Sequence, residues 1–291
     1  MLLDDATCAR MLPARPRDGH KGTFGTLACV CGSLDYAGAA LLCAMSATRG
    51  GTGLVAIAVP RSLQALFAGR VREAITIGLP ETTAGDDIDP AGAGHALKDR
   101  SPDAIVIGPG LRESEGYRGL VLGLLARSGP PLVVDGSALN LLSRSGDWWT
   151  GVQRAAVLTP HPGEFARVTG APVSADSGER LARATAAAEQ FGQVIVLKGA
   201  RTVICAADGR RARSPIATPA LATAGSGDVL AGLIGGLLAQ GVAPFEAACL
   251  GVYLHGRAGQ RIAQKLGESG LIASDLPYEI ALVRHDLAAL G

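Results

Sequence analysis

Aromatic residues make up only 4% of the chain, so no surface is built for stacking on nucleic-acid bases. Charge of one sign is not in excess either: 27 Lys and Arg stand against 26 Asp and Glu, which excludes a nucleic-acid stripe or an anionic-membrane patch. Long hydrophobic runs are missing. The apolar stretch at 229–239 is too short to cross a bilayer, and the N-terminus lacks an apolar signal core. The six cysteines include one close pair, Cys29 and Cys31, whose spacing puts both on one strand face with no second pair to complete a zinc site. They are expected to be buried thiols in a reducing, cytoplasmic compartment. No Gly-x-Gly-x-x-Gly follows the first predicted strand, no Gly-x-x-x-x-Gly-Lys-Ser/Thr marks a Walker loop, and no Gly-x-Ser-x-Gly marks a hydrolase elbow.

What is there is a chain of 291 residues, 48% hydrophobic and carrying 40 glycines, enough for one large α/β domain over 1–291. Short β-rich runs at 26–31, 54–59, 104–107, 132–134, 156–158, 194–197 and 202–205 alternate with helical stretches. This is the pattern of a mostly parallel sheet with helices on both faces. Helices are expected at 39–49, 61–69, 116–127, 138–142, 162–169 and 178–191, then at 227–240, 244–265 and from about Ser274, whose side chain is placed to cap the last helix ahead of Pro277. The stretch 81–94 reads as a loop.

Four successive strand ends carry glycine, proline or a polar group, at Gly108, Asp135, Thr159 and Lys198, and ligands of such sheets sit at the carboxyl ends of the strands. The segment Gly225-Ser226-Gly227-Asp228 opens a hydrophobic helix. Its glycines free backbone amides for an anion and the helix N-terminus favours phosphate, whereas a carboxylate there repels it. Asp228 therefore reads as a general base working on a hydroxyl beside the phosphate, with a plain helix cap as the alternative. His161 and Glu164 lie in a turn stiffened by Pro160 and Pro162; the histidine either donates to a substrate oxygen or is a solvated loop residue. Lys198 is followed by small residues against which a nucleotide can lie. Asp135 either holds a hydrated Mg²⁺ or caps the helix after it.

Taken in order, His20-Lys-Gly-Thr-Phe-Gly25, Gly32-Ser-x-x-Tyr-x-Gly-Ala39, Ile107-Gly-Pro-Gly-Leu111, Asp135-Gly-Ser-Ala-Leu-Asn140, Leu158-Thr-Pro-His-Pro-Gly-Glu164, Val196-Leu-Lys-Gly-Ala200, Gly225-Ser-Gly-Asp-Val-Leu230, Tyr253-Leu-His-Gly256 and Leu271-Ile-Ala-Ser-Asp275 resemble the ADP/ATP-dependent NAD(P)H-hydrate dehydratases of the ribokinase-like superfamily. The resemblance implies a three-layer α/β/α fold and a repair reaction, in which the S epimer of hydrated NADH or NADPH is dehydrated at the expense of ADP or ATP with Mg²⁺. It implies Asp228 as catalytic base; Ala39, Gly110, His161 and Asp228 on the hydrate; Lys198, Gly199, Ala200, Arg201, Thr202 and Gly227 on the nucleotide; and Gly225, Ser226 and Gly227 as the anion hole. It also implies a homo-oligomer, expected to be a tetramer, and a hydrate epimerase on a separate chain. The chain departs from the usual pattern at 216–221, where an Asn-bearing stretch is common, and at Ser137, where Asp often stands. A ribokinase-like kinase of a vitamin-precursor alcohol and a non-catalytic dinucleotide sensor are the competing expectations.

Overall fold

Four short runs, Ala104–Ile107, Leu132–Val134, Ala156–Leu158 and Val194–Leu197, carry no polar residue and are buried along their whole length. A strand apolar on both faces needs helices above and below it, and this requirement organises the molecule. A computed structural model describes residues 1–290. Its strands are β1 (Thr26–Val30), β2 (Leu54–Pro60), β3 (Ile75–Leu79), β4 (Ala104–Ile107), β5 (Leu132–Val134), β6 (Ala156–Leu158), β7 (Val194–Leu197), β8 (Val203–Cys205) and β9 (Arg211–Arg213). They form one sheet in the order β3-β2-β1-β4-β5-β6-β7-β8-β9, parallel as far as β7 and closed by the antiparallel β8 and β9.

The helices are α1 (Asp5–Ala9), α2 (Ala37–Arg49), α3 (Gln64–Ala68), α4 (Pro90–Lys98), α5 (Glu115–Leu125), α6 (Ser137–Ser143), α7 (Pro162–Thr169), α8 (Ser177–Phe191), α9 (Ser226–Ala239), α10 (Pro244–Leu266) and α11 (Leu276–Ala288). Alternation along β1 divides the core in two. Leu27 and Cys29 face α2, α9 and α10, whereas Ala28 and Val30 face α5, α6 and α8. Among the described residues no helix is long and apolar enough to cross a membrane.

Helix α9 is apolar on all sides because it lies between the sheet and two other helices. Its glycines set how closely it approaches them. A Cβ at Gly232 would stand 2.1 Å from the Cys43 carbonyl oxygen on α2, and one at Gly235 would stand 2.2 Å from Val106 Cγ2 on β4. The N-terminus of α9 is thereby held at a fixed height over the strand ends.

Every expected strand is present, two of them one residue shorter and one a residue longer, and Cys29 and Cys31 are buried as expected. Strands β3 and β9 and helices α1 and α4 went unforeseen. Helix α4 begins inside the stretch expected to be a loop, with Asp89 accepting from the amides of Ala91 and Gly92 and Pro90 in the first turn. Ser274 does not cap the last helix. It lies in a 3₁₀ turn whose Asp275 accepts from the Ile272 amide, and α11 starts behind that turn.

Candidate active site

Strand order reverses between β1, which leads to β2 and β3, and β4, which leads to β5 through β7, so a crevice opens at their carboxyl ends. The two strand-end loops are tied together: the Gly32 amide donates to the Pro109 carbonyl at 2.8 Å and the Gly108 amide to the Val30 carbonyl at 3.2 Å. Two cavities flank this point. One of about 1050 Å³ is lined by Tyr36, Ala39, Gly110, Asn140, His161 and Asp228 among others. The second, of about 610 Å³, is lined by Lys198, Gly199, Ala200, Thr202, Ser226, Gly227 and His255 together with apolar residues of 216–222.

The start of α9 separates the two. Gly225 sits at φ 86°, a left-handed turn that glycine adopts without strain, and a Cβ there would come 2.6 Å from Leu42 Cδ1. The chain then enters the helix with Ser226 and Gly227 facing the smaller cavity and Asp228 facing the larger. Gly225 lines neither cavity; it turns the chain. The Ser226 amide donates to the Thr223 carbonyl at 3.3 Å.

Asp228 is half-buried, and its carboxyl is pushed up to about 7 by loss of hydration and by the Asp135 carboxylate, against the opposing pull of Lys198. A carboxylate that binds protons near neutrality is suited to take one from a hydroxyl. Lys198 is itself engaged. Its Nζ lies 2.7 Å from Asp135 Oδ1 and 3.8 Å from Glu164 Oε2. Burial pulls the ammonium pKa down, but the carboxylates of Asp135 and Glu164 outweigh it and the net shift is upward.

Asp135 does not cap the helix after it. Helix α6 is entered through Gly136 with no side-chain cap, and Asp135 Oδ1 accepts from Thr159 Oγ1 at 2.6 Å as well as from Lys198. Among the described residues no group of three or more His, Cys, Asp or Glu is arranged to hold a metal. A Mg²⁺ ion would therefore depend on phosphate oxygens supplied with a nucleotide rather than on a protein cage.

His161 is the N-cap of α7. Its Nδ1 accepts from the Gly163 and Glu164 amides at 3.0 and 3.3 Å, while Glu164 Oε2 accepts from the His161 amide at 2.8 Å. With Nδ1 accepting, a neutral ring carries its proton on Nε2, which lies 3.4 Å from Glu164 Oε1, and the residue lines both cavities. The ring is held in place by the helix start, and half of its side chain stays exposed to solvent.

Ala39 and Gly110 lie together in the larger cavity, where a Cβ on Gly110 would meet Ala39 Cβ at 2.7 Å. Of the six residues expected along the nucleotide, Lys198, Gly199, Ala200, Thr202 and Gly227 line the smaller cavity; Arg201 does not, and instead sits at φ 56° with its amide bonded to the Ile216 carbonyl. Sequence reasoning missed His255 and the wall at 216–223. The sequence Tyr253-Leu-His-Gly256 carried a signal for the first, since a histidine inside an apolar helix needs a polar partner. The unusual 216–221 segment is held by Thr218 and Glu268: Thr218 Oγ1 donates to Glu268 Oε2 at 2.8 Å, and the Ala220 amide donates to the same carboxylate at 3.0 Å.

The sequence pattern of the NAD(P)H-hydrate dehydratase family matches residues 27–281. A bifunctional NAD(P)H-hydrate repair enzyme of Moorella thermoacetica is 44% identical over 99% of this chain and 55% of its own length, so the chain spans about half of that relative. An ADP-dependent (S)-NAD(P)H-hydrate dehydratase of Neisseria meningitidis serogroup B is 38% identical over 90% of this chain and 86% of its own. The crystal structure of the ADP/ATP-dependent NAD(P)H-hydrate dehydratase of Bacillus subtilis, co-crystallised with ATP and Mg²⁺, superimposes with a TM-score of 0.82 at 32% identity, covering 98% of this chain and 97% of that one. The three-layer arrangement is the ribokinase-like fold. With the strand-end and helix-start segments all inside the matched region, the chain belongs to the NAD(P)H-hydrate dehydratase family.

Proposed function

We propose that the chain, acting as one catalytic domain, dehydrates the S epimer of NAD(P)H hydrate and consumes ADP or ATP in doing so. The observation that carries the reading is the partition at α9: Asp228 opens into one cavity and its neighbour Gly227 into the other. A hydroxyl in the larger cavity and a terminal phosphate in the smaller one meet across a single helical turn.

In this reading Asp228 removes the proton of the C6 hydroxyl, and that oxygen attacks the terminal phosphorus of the nucleotide. The bond from phosphorus to the bridging oxygen breaks, releasing AMP from ADP or ADP from ATP. The amides at the start of α9 and the Lys198 ammonium offset the charge that builds on the transferring group. The ring-nitrogen lone pair then expels phosphate from C6, C5 loses a proton, and the C5–C6 double bond of NAD(P)H is restored. Mg²⁺ bound to the nucleotide phosphates would neutralise charge there. Ala39, Gly110 and the Nε2–H of His161 position the hydrate; Gly199, Ala200, Arg201 and Thr202 belong to the nucleotide segment. An epimerase that interconverts the R and S hydrates is the functional partner. The reading includes a tetramer, which light scattering on the purified chain would test, and a cytoplasmic setting, which suits six unpaired thiols.

The test is stoichiometric. Incubation with the S hydrate of NADH and ADP should give NADH, AMP and inorganic phosphate in equal amounts. A stable phosphoester formed from an added hydroxymethylpyrimidine or thiazole alcohol, with the hydrate untouched, would replace the dehydratase with a kinase. Tight binding of the hydrate without turnover would make the chain a sensor.

A further inference from the structure

Helix α10 packs against α9, with Gly251 beside Ile234, and among its buried apolar residues, which include Leu250, Leu254 and Ala258, stands His255, also buried. An imidazole in such a place is unfavourable unless it is hydrogen-bonded. Both hydrogen bonds of its Nε2 go to one residue. His255 Nε2 lies 3.0 Å from the Ser226 carbonyl oxygen and 3.1 Å from Ser226 Oγ. A carbonyl oxygen accepts only, so Nε2 carries the proton, and the serine hydroxyl shares it or turns elsewhere. Burial pushes the imidazole down to about 4, with the nearby Lys198 charge acting the same way, so the ring is neutral at physiological pH and acts through its hydrogen bond rather than through charge.

Ser226 is the first residue of α9 and follows the left-handed turn at Gly225. Its amide is tethered weakly to Thr223, at 3.3 Å, and its carbonyl is gripped by His255 from the opposite helix. Rotation of the Ser226–Gly227 peptide would turn the Gly227 amide away from the smaller cavity, and the His255 bond opposes that rotation. Ser226, Gly227 and His255 line the same cavity.

We propose that His255 is a positioning residue: its Nε2–H fixes the Ser226–Gly227 peptide so that the first amides of α9 face the phosphates of a nucleotide in the smaller cavity. The inference rests on the reading of that cavity as the nucleotide site.

The experiment compares ADP with adenosine, because only ADP uses the helix start. In the wild type, calorimetric titration should give clearly tighter binding of ADP than of adenosine. In H255L, ADP affinity should fall about tenfold, adenosine affinity should stay within about twofold, and kcat should fall with the KM for the hydrate nearly unchanged. H255Q, whose side-chain amide can place an N–H where Nε2 stands, should restore most of the ADP affinity. ADP affinity left intact in H255L, or equal losses for ADP and adenosine, would overturn the inference, since the second result is what general packing damage produces. Should H255L not fold, H255Q and H255N carry the comparison: Asn is too short to reach Ser226, so ADP binding near wild type in the first and about tenfold weaker in the second supports the role, and equal behaviour refutes it. A wild type that binds adenosine and ADP equally well would remove the nucleotide reading itself, and that failure is identified by the wild-type titration alone.

Discussion

The two cavities share a wall but are built from different chemistry. The larger is charged, with Asp35, Glu81, Asp86, Asp87, Arg112, Glu113 and Arg167 on its rim. The smaller is mostly apolar on one side, through Ile216, Ala217, Pro219, Leu221, Leu230 and Val252, with polar groups concentrated where it meets α9. An apolar slot ending in backbone amides fits a flat base with a phosphate tail, held by shape at one end and by N–H groups at the other. A wide charged cleft fits a longer polar ligand placed by a few directed contacts. In the proposed reaction the chemistry falls to the shared wall, where Asp228, Lys198, Asp135, Glu164 and His161 lie within one electrostatic cluster.

The largest effect is expected from removing the base at that wall. Asp228→Asn should lower kcat by about 10²–10⁴-fold while both ligands still bind, which steady-state kinetics with calorimetry would check. The same change should stabilise the protein above neutral pH. The folded carboxyl is raised from 3.8 to about 7, so the unfolded state ionises first as pH rises. Stability is lost between those values, and above about 7 the loss is constant at an order of a few kcal/mol. Asn escapes it. The melting temperature of the variant should therefore exceed that of the wild type at pH 8 and converge with it near pH 4, and kcat of the wild type should rise as pH passes upward through about 7.

Breaking the smaller cavity alone should separate the two ligands. Ala217 is exposed and lines that cavity, so Ala217→Trp fills the slot without disturbing the core. ADP affinity is expected to fall by more than about tenfold, equivalent to about 1.4 kcal/mol, with hydrate binding unchanged in titrations. Loss of both would mean that the cavities are not independent sites.

Lys198→Ala is expected to act on the wall itself. Without the ammonium, Asp135 and Glu164 remain as unpaired carboxylates beside Asp228, so nucleotide affinity should drop several-fold more than hydrate affinity. The acid limb of the kcat profile should also move to higher pH, because Lys198 is the group that lowers the Asp228 pKa. A limb that stays in place would remove Lys198 from the electrostatics of the base.

The smallest effect belongs to His161→Ala. It should raise the KM for the hydrate a few-fold, change the nucleotide KM less, and cost about 1 kcal/mol of stability through loss of the N-cap, read from urea unfolding. Unchanged KM for both substrates would leave His161 with the cap alone.

Legibility of the sequence followed burial. The central strands β4 to β7 were read to the residue because their continuous apolar runs have no other soluble use. The edges were harder. In β3 an interior Gly78 reads as a breaker, yet a Cβ there would stand 2.4 Å from Gln64 Oε1, so the glycine reflects packing by α3. In α4 two glycines masked the Asp89-Pro90 start signal. At the site, Asp228, His161 and Lys198 could be singled out because each sits at a strand end or helix start. Their pairings could not. That Asp135 pairs with Lys198 across 63 positions, and that His255 reaches Ser226 across 29, depends on which strand ends and helices become neighbours. Local pattern carries no such information.

In the proposed reaction the C6 hydroxyl itself attacks the nucleotide, and isotope tracing tests this directly. NADH hydrate of S configuration bearing ¹⁸O at the C6 hydroxyl is turned over with unlabelled ADP in ordinary water, and the inorganic phosphate is analysed by mass spectrometry. One ¹⁸O per phosphate released is the predicted result, because that oxygen leaves carbon still bonded to phosphorus. Unlabelled phosphate, with the ¹⁸O recovered in water, would show that hydrolysis and dehydration are separate events and would contradict the placement of Asp228 between the two cavities as the base that joins them.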